Sequence, residues 1–230
     1  MSLDASPMTP PASGRAARQA VVFLHGYGSN GDDLIGLAPY FAQGLPDAVF
    51  YSPHAPFAWE GGFFGGKQWF SLARYAPDML RTAAGAAELD QEFFAGAEAA
   101  AAHLHPFLEN VLARHQLPAA KLALVGFSQG TMMALHVALR RKPALAGVVG
   151  FSGALVGADR LGRDIVARPP VLLVHGADDP VVPVEAMAGI VTALKANAVP
   201  VESHVIPGLQ HGIDGVGAAR AAAFLQEKLA

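Results

Sequence analysis

The chain contains no cysteine among its 230 residues, so disulfides, thiolate nucleophiles and sulfur-built zinc sites are excluded. Charge is also scarce: 15% of residues are Asp, Glu, Lys or Arg, against roughly 25% in an average soluble domain. The 16 basic and 19 acidic residues nearly cancel to a net charge of −3, and the one basic cluster is Arg140–Arg141–Lys142. That leaves no electrostatic footprint for nucleic acid or an anionic membrane. Long apolar runs are missing too. The uncharged stretch Pro143–Ala158 is interrupted by glycines and is shorter than the ~20 residues a membrane span needs. Residues 1–19 carry no apolar segment of the signal-peptide kind, so a soluble, cytoplasmic protein is expected, without stable membrane insertion. Rich in Pro, Ser and Ala, this stretch is expected to be a flexible N-terminal tail.

What the chain does have is apolar content, 52%, enough to offset chain entropy by burial and to fill one domain over residues 20–230. Short continuous runs rich in β-branched and aromatic residues recur: Ala20–Leu24, Val49–Ser52, Leu122–Phe127, Ala146–Phe151 and Val171–His175. Such runs fit strands buried on both faces, while the mixed Val201–Ile206 fits an edge strand. Helix-like stretches lie between them: Asp32–Gln43, Glu88–His115, Gln129–Arg141, Val184–Ala198 and Ala218–Leu229. Strand and helix in turn predict an α/β fold with a doubly wound, mainly parallel sheet. Pro106 is expected to kink or restart the long helix near His105. Only 18 residues separate Ser152 from Val171, too few for a cap domain. Pro53–Ala87 fits no element, yet it holds both tryptophans, four phenylalanines and two glycine pairs. It is expected to be an ordered flap over a site, or a satellite core filled by Trp69 and Phe70.

The strongest chemical signal is Gly126-Phe127-Ser128-Gln129-Gly130, which directly follows one apolar run and opens a helix. In that context G-x-S-x-G is a sharp turn that presents a serine hydroxyl. A serine needs a base held by a carboxylate, and in this arrangement the order along the chain is Ser, acid, His. His175-Gly176-Ala177-Asp178-Asp179-Pro180 follows another strand, and His211 lies past the last one. Asp179 is 51 positions beyond Ser128, and His211 is 32 beyond Asp179, each enough for a crossover and return. Of the adjacent carboxylates, Asp179 is favoured as the acid and Asp178 as a solvated loop residue. His25 and His175, each ending a strand ahead of glycine, read as buried orienting groups. Acyl transfer also needs donors for an oxyanion. The N–H of Gln129 is one, and that of Tyr27 in the His25-Gly26-Tyr27-Gly28 loop is the other.

LHGYGSNGDDL (24–34), LVGFSQGTMMAL (124–135), HGADDPVVP (175–183) and LQHGI together resemble the phospholipase/carboxylesterase family of α/β-hydrolases, which includes bacterial carboxylesterases and acyl-protein thioesterases. The resemblance spans residues 20–230 and implies Ser128, Asp179 and His211 as triad with Tyr27 and Gln129 as oxyanion hole, the residues also reached from the motifs. One departure stands in the flap. Where many members read WFD, this chain reads Trp69-Phe70-Ser71.

The expected activity is hydrolysis of small to medium acyl esters through an acyl-enzyme, with no cofactor and no metal. The pocket is expected to be lined by Phe63, Phe64, Trp69 and Phe70 of the flap and by Val182 and Leu209 beside the acid and base. A hydrophobic mouth of this kind also suits a thioester or lysophospholipid substrate, or a homodimer contact. A non-catalytic ligand-binding relative of the same fold is the alternative from another class.

Overall fold

Each central strand buries side chains alternately into two separate cores, which is why its sequence reads as an unbroken apolar run. In β2 (Gln19–Leu24), Ala20, Val22 and Leu24 face one core and Val21 and Phe23 the other. β6 (Leu122–Phe127) and β8 (Val171–Gly176) divide the same way, with Leu124 and Leu173 on the first side and Val125 and Val174 on the second. A sheet buried on both faces needs helices on both. The computed structural model describes residues 1–2, 5–62, 65–74 and 83–230. In it, α3 (Ala83–His115), α4 (Gln129–Leu139) and α6 (Glu185–Ala196) cover the first face. α1 (Gly31–Leu34), α2 (Ala38–Ala42) and α7 (Gly215–Leu229) cover the second.

Among the described residues the sheet has seven strands, ordered β1 (Met8–Thr9), β3 (Ala48–Tyr51), β2, β6, β7 (Gly147–Phe151), β8 and β9 (Val201–Ile206), of which only β1 runs antiparallel. The α/β class with a mainly parallel, doubly wound sheet is therefore the observed one. From β2 the chain winds outward to β3, then returns to place β6 on the other side of β2. This reversal opens a crevice at the carboxyl ends of β2 and β6, the place where such sheets hold their ligands. Between β7 and β8 stand only a 3-10 turn, Ala158–Arg160, and the single-turn α5 (Leu161–Asp164), so no cap domain is inserted there. Among the described residues no helix is long and apolar enough to cross a membrane.

Three expectations need correction. The N-terminal stretch is not a free tail: β1 pairs with β3, Ser52 N donates to Pro7 O at 2.9 Å, and the Arg15 guanidinium forks onto Asp47 at 2.8–3.1 Å. Its composition cannot fill a core, but its backbone satisfies the otherwise open edge of β3. The long helix does not restart near His105; α3 runs unbroken through Pro106. Pro106 and Ala102, whose carbonyl loses its partner, lie on the exposed side, while Leu104, Phe107, Leu108 and Val111 anchor the helix in the core. Finally, part of the flap is regular: β4 (Phe57–Ala58) and β5 (Lys67–Gln68) form a short antiparallel hairpin.

Candidate active site

One residue, Ser128, joins β6 to α4, and its backbone is held at φ 55° and ψ −118°, a conformation that non-glycine residues rarely adopt. The turn is so tight that a Cβ on Gly130 would lie 1.8 Å from the Leu24 carbonyl oxygen, and one on Gly126 would lie 2.4 Å from that of Gly130. The strain is held by hydrogen bonds on either side: Ser128 N donates to Phe151 O and Thr131 N donates to Ser128 O, both at 2.9 Å. Gln129 opens α4, so its backbone N–H has no acceptor within the helix and points, with the positive end of the dipole, out of the helix end beside Ser128.

Asp179 is placed by the turn after β8. Its Oδ1 accepts from the backbone N–H groups of Val181 and Val182, each at 2.9 Å, which aims Oδ2 at His211 Nδ1, 2.8 Å away. Burial pushes this carboxyl up, but the hydrogen bonds from His211, Val182 and Val181 outweigh it and hold it below the usual carboxylate range. An ionised carboxylate only accepts, so Nδ1 carries a proton, and in the neutral imidazole the lone pair is then on Nε2. The neighbouring Asp178 is exposed and uses only its backbone N–H, on Leu209 O. His175 lies beneath: its Nε2 donates to Val182 O at 2.8 Å and stands 3.4 Å from Asp179 Oδ2. His211 leans on the ring of Phe127, the residue before Ser128, with centroids 4.8 Å apart.

The loop after β2 closes the other side. A Cβ on Gly26 would stand 3.4 Å from the Ser128 Cβ, so this loop runs directly past the elbow. His25 pins it: Nε2 accepts from Ala55 N at 2.9 Å and Nδ1 donates to Gly26 O at 2.8 Å. Burial pushes the His25 imidazole down to about 4, so it is neutral and this tautomer persists. Next along the loop, Gly28 N donates to Lys67 O and Lys67 N to Ser29 O, which docks the hairpin onto it. The Tyr27 hydroxyl donates to Glu60, and burial followed by that carboxylate pushes the phenol up to about 12.

The structure thus sets Asp179 against His211 and brings the Tyr27 loop and the start of α4 to the same edge of the sheet. The pocket expectations fare differently. Trp69 and Phe70 are 0% and 2% exposed and belong to the core. Trp69 Nε1 donates to His25 O, and the side chain of Gln129 spans Trp69 N and Phe70 O, so these rings brace the site from behind rather than line it. Phe63 and Phe64 lie outside the described residues. Val182 and Leu209 are half-buried beside the acid and base, and both lend backbone groups to that loop. An open groove of about 250 Å³ is lined by Leu34, Leu37, Phe127 and Ile213, and it is the Phe127 ring that also packs on His211. A larger cavity of about 570 Å³ between α3 and α4, lined by Phe94, Glu98, His136 and Arg140, holds none of the triad candidates. Sequence reasoning missed Glu60 and the bracing role of the Gln129 side chain. Neither sits in a motif, and only the order of aromatic and polar residues in the flap hinted at contacts there.

Among the described residues no group of His, Cys, Asp and Glu could hold a metal ion. The chain is 39% identical to a crystallised esterase, PE8, with a TM-score of 0.86 over 97% of this chain and 98% of that one. It is 25% identical to acyl-protein thioesterase 2 of Zea mays, with a TM-score of 0.74 over 98% and 99% of the two chains. Esterase YpfH of Escherichia coli strain K12 is 28% identical over 204 residues, 87% of this chain and 78% of that protein. The phospholipase/carboxylesterase family matches residues 11–229, nearly the whole fold and every element that forms the candidate site, and the chain belongs to that family of α/β-hydrolase esterases.

Proposed function

We propose that the protein is a serine carboxylesterase that cleaves small to medium acyl esters, with Ser128 as nucleophile, His211 as general base and acid, and Asp179 as the carboxylate that orients it. The observation that carries this reading is the 2.8 Å contact between Asp179 and His211, on the same rim as a serine held at a strained elbow. His211 Nε2 takes the Ser128 proton as the hydroxyl oxygen attacks the ester carbonyl. The Tyr27 and Gln129 N–H groups receive the oxyanion. Collapse of the tetrahedral intermediate breaks the bond to the leaving alcohol, which takes its proton from His211. Water, deprotonated by the same imidazole, then attacks the acyl-enzyme and releases the acid, returning the proton to Ser128.

Substrate size is read from the groove of roughly 250 Å³ lined by Phe127, the ring that packs on His211, and a groove of that volume suits short chains. Thioesters form the same acyl-enzyme, and the likeness to the Zea mays thioesterase is the observation that favours testing them. A fluorophosphonate should label the native chain at Ser128 and leave Ser128→Ala unlabelled. A panel of oxygen esters, thioesters and lysolipids of graded length should then show fastest turnover on short oxygen esters. Labelling that persists in Ser128→Ala, or preference for long-chain thioesters, overturns the assignment.

A further inference from the structure

The two proposed oxyanion donors, Tyr27 N–H and Gln129 N–H, stand about a hundred residues apart in the chain, and one short strap reaches both, Gln129 directly and Tyr27 through Glu60. Residues 68–72 meet α4 through the Gln129 side chain, whose Oε1 accepts from Trp69 N at 2.9 Å and whose Nε2 donates to Phe70 O at 2.8 Å. The same strap grips Glu60: Ser71 Oγ donates to Oε2 at 2.6 Å, Leu72 N to Oε1 at 2.9 Å, and Gln68 Nε2 to Oε2 at 3.3 Å, while Glu60 N donates to Gln68 Oε1 at 2.9 Å. Glu60 in turn accepts from the Tyr27 hydroxyl. Five donated and accepted bonds converge on one residue at the surface of the flap.

We infer that Glu60 is a positioning residue of this esterase: by holding the Tyr27 hydroxyl against the strap that also holds Gln129, it sets the spacing of the two oxyanion donors. The inference rests on the proposed roles of Tyr27 and Gln129. Physically, a backbone donor stabilises the transition state only if it is already aimed where the oxyanion will form, and a loop bearing Gly26 and Gly28 cannot hold that aim by itself. The Ser71 departure from the family pattern fits this latch. A hydroxyl at 71 donates to Glu60, whereas an aspartate there would set two carboxylates against each other. Burial would push Glu60 up, but bonds from Ser71, Tyr27, Leu72 and Gln68 hold it down to about 2, so it stays an acceptor throughout the working pH range.

The test compares Glu60→Ala, Glu60→Gln, Tyr27→Phe and the Glu60→Ala/Tyr27→Phe double variant. It uses a short-chain p-nitrophenyl ester and a trifluoromethyl ketone, which forms a hemiketal oxyanion on the serine. Glu60→Ala should lower kcat roughly 10- to 100-fold, less than the loss of a whole donor, with KM changed no more than about twofold. Affinity for the ketone should fall in parallel with kcat. Tyr27→Phe removes one hydroxyl, keeps the backbone donor and threatens the fold least; it should reproduce most of the loss, and the double variant should add little. Glu60→Gln, which still accepts from Tyr27, should recover part of the activity. Unchanged kcat and ketone affinity in Glu60→Ala, or a rise in KM alone, overturns the inference. Failure of the serine reading itself is seen separately, as a native chain that is inactive or a Ser128→Ala that is not.

Discussion

Gln129 joins two stretches of chain 60 residues apart: its side-chain amide pairs with Trp69 N and, at 2.8 Å, with Phe70 O, all buried. The residue that opens α4 therefore also fastens the flap. Replacing it with leucine leaves a buried N–H and a buried C=O without partners, each costing about 1–3 kcal/mol. Gln129→Leu should lower Tm and kcat together. Gln129→Glu should satisfy Trp69 N but face Phe70 O with a second acceptor unless protonated. Its carboxyl is then raised in the folded state, and the variant should lose stability as pH rises. Thermal melts from pH 5 to 8 check both, and a Gln129→Leu as stable as the parent overturns the clamp.

Asp179 and Asp178 are adjacent in sequence, yet only Asp179 reaches His211. Asp179→Asn keeps the shape but can present an amide N–H to Nδ1, stabilising the wrong tautomer. Steady-state assays should show kcat reduced about 10⁴-fold, as in other triads, with Asp178→Asn close to native. Comparable losses in the two variants would remove Asp179 from its proposed role.

The clearance at Gly130 leaves no room for any side chain, since the obstruction is the Leu24 backbone carbonyl at 1.8 Å. Gly130→Ala must displace β2 or α4 and should cost more than about 3 kcal/mol, in the range of severe core substitutions. Gly36→Ala, where a Cβ would meet nothing within 4 Å, should be well tolerated. Urea midpoints of the two variants decide it, and equal midpoints would refute the crowding.

His25 and His136 are 0% and 1% exposed, and burial pushes both imidazoles down to about 4 in the folded chain. The unfolded chain takes up these protons near pH 6.5, so stability is complete above that value and falls as the pH drops from about 6.5 toward 4. Each histidine then contributes a slope of up to about 1.4 kcal/mol per pH unit. Urea unfolding at pH 7.5, 6 and 5 should show a progressive loss. A stability unchanged between pH 7 and 5 would contradict neutral burial of these rings.

The central strands were legible because burial on both faces writes itself into consecutive residues: Val21, Val22 and Phe23 are apolar whichever way they point. The elbow was legible because its five residues are consecutive and stand directly between a strand run and a helix. β1, β4 and β5 were not, for each is two residues long and shows no periodicity. What stabilises them is backbone pairing with partners chosen elsewhere in the chain. Pro106 misled for a related reason. Its cost is local and readable, while the core contacts of Leu104 and Phe107 that outweigh it are distant.

Near-neighbour chemistry along the chain thus settled the class of fold and the strained serine turn, because each is written in residues within a few positions of one another. Packing in three dimensions settled that Trp69 and Phe70 brace the site from within, that one Asp179 oxygen faces two histidines, and that Glu60 ties the Tyr27 loop to the strap. Those outcomes depend on hydrogen bonds and contacts closed across tens of residues, and no short window of sequence carries the geometry that closes them.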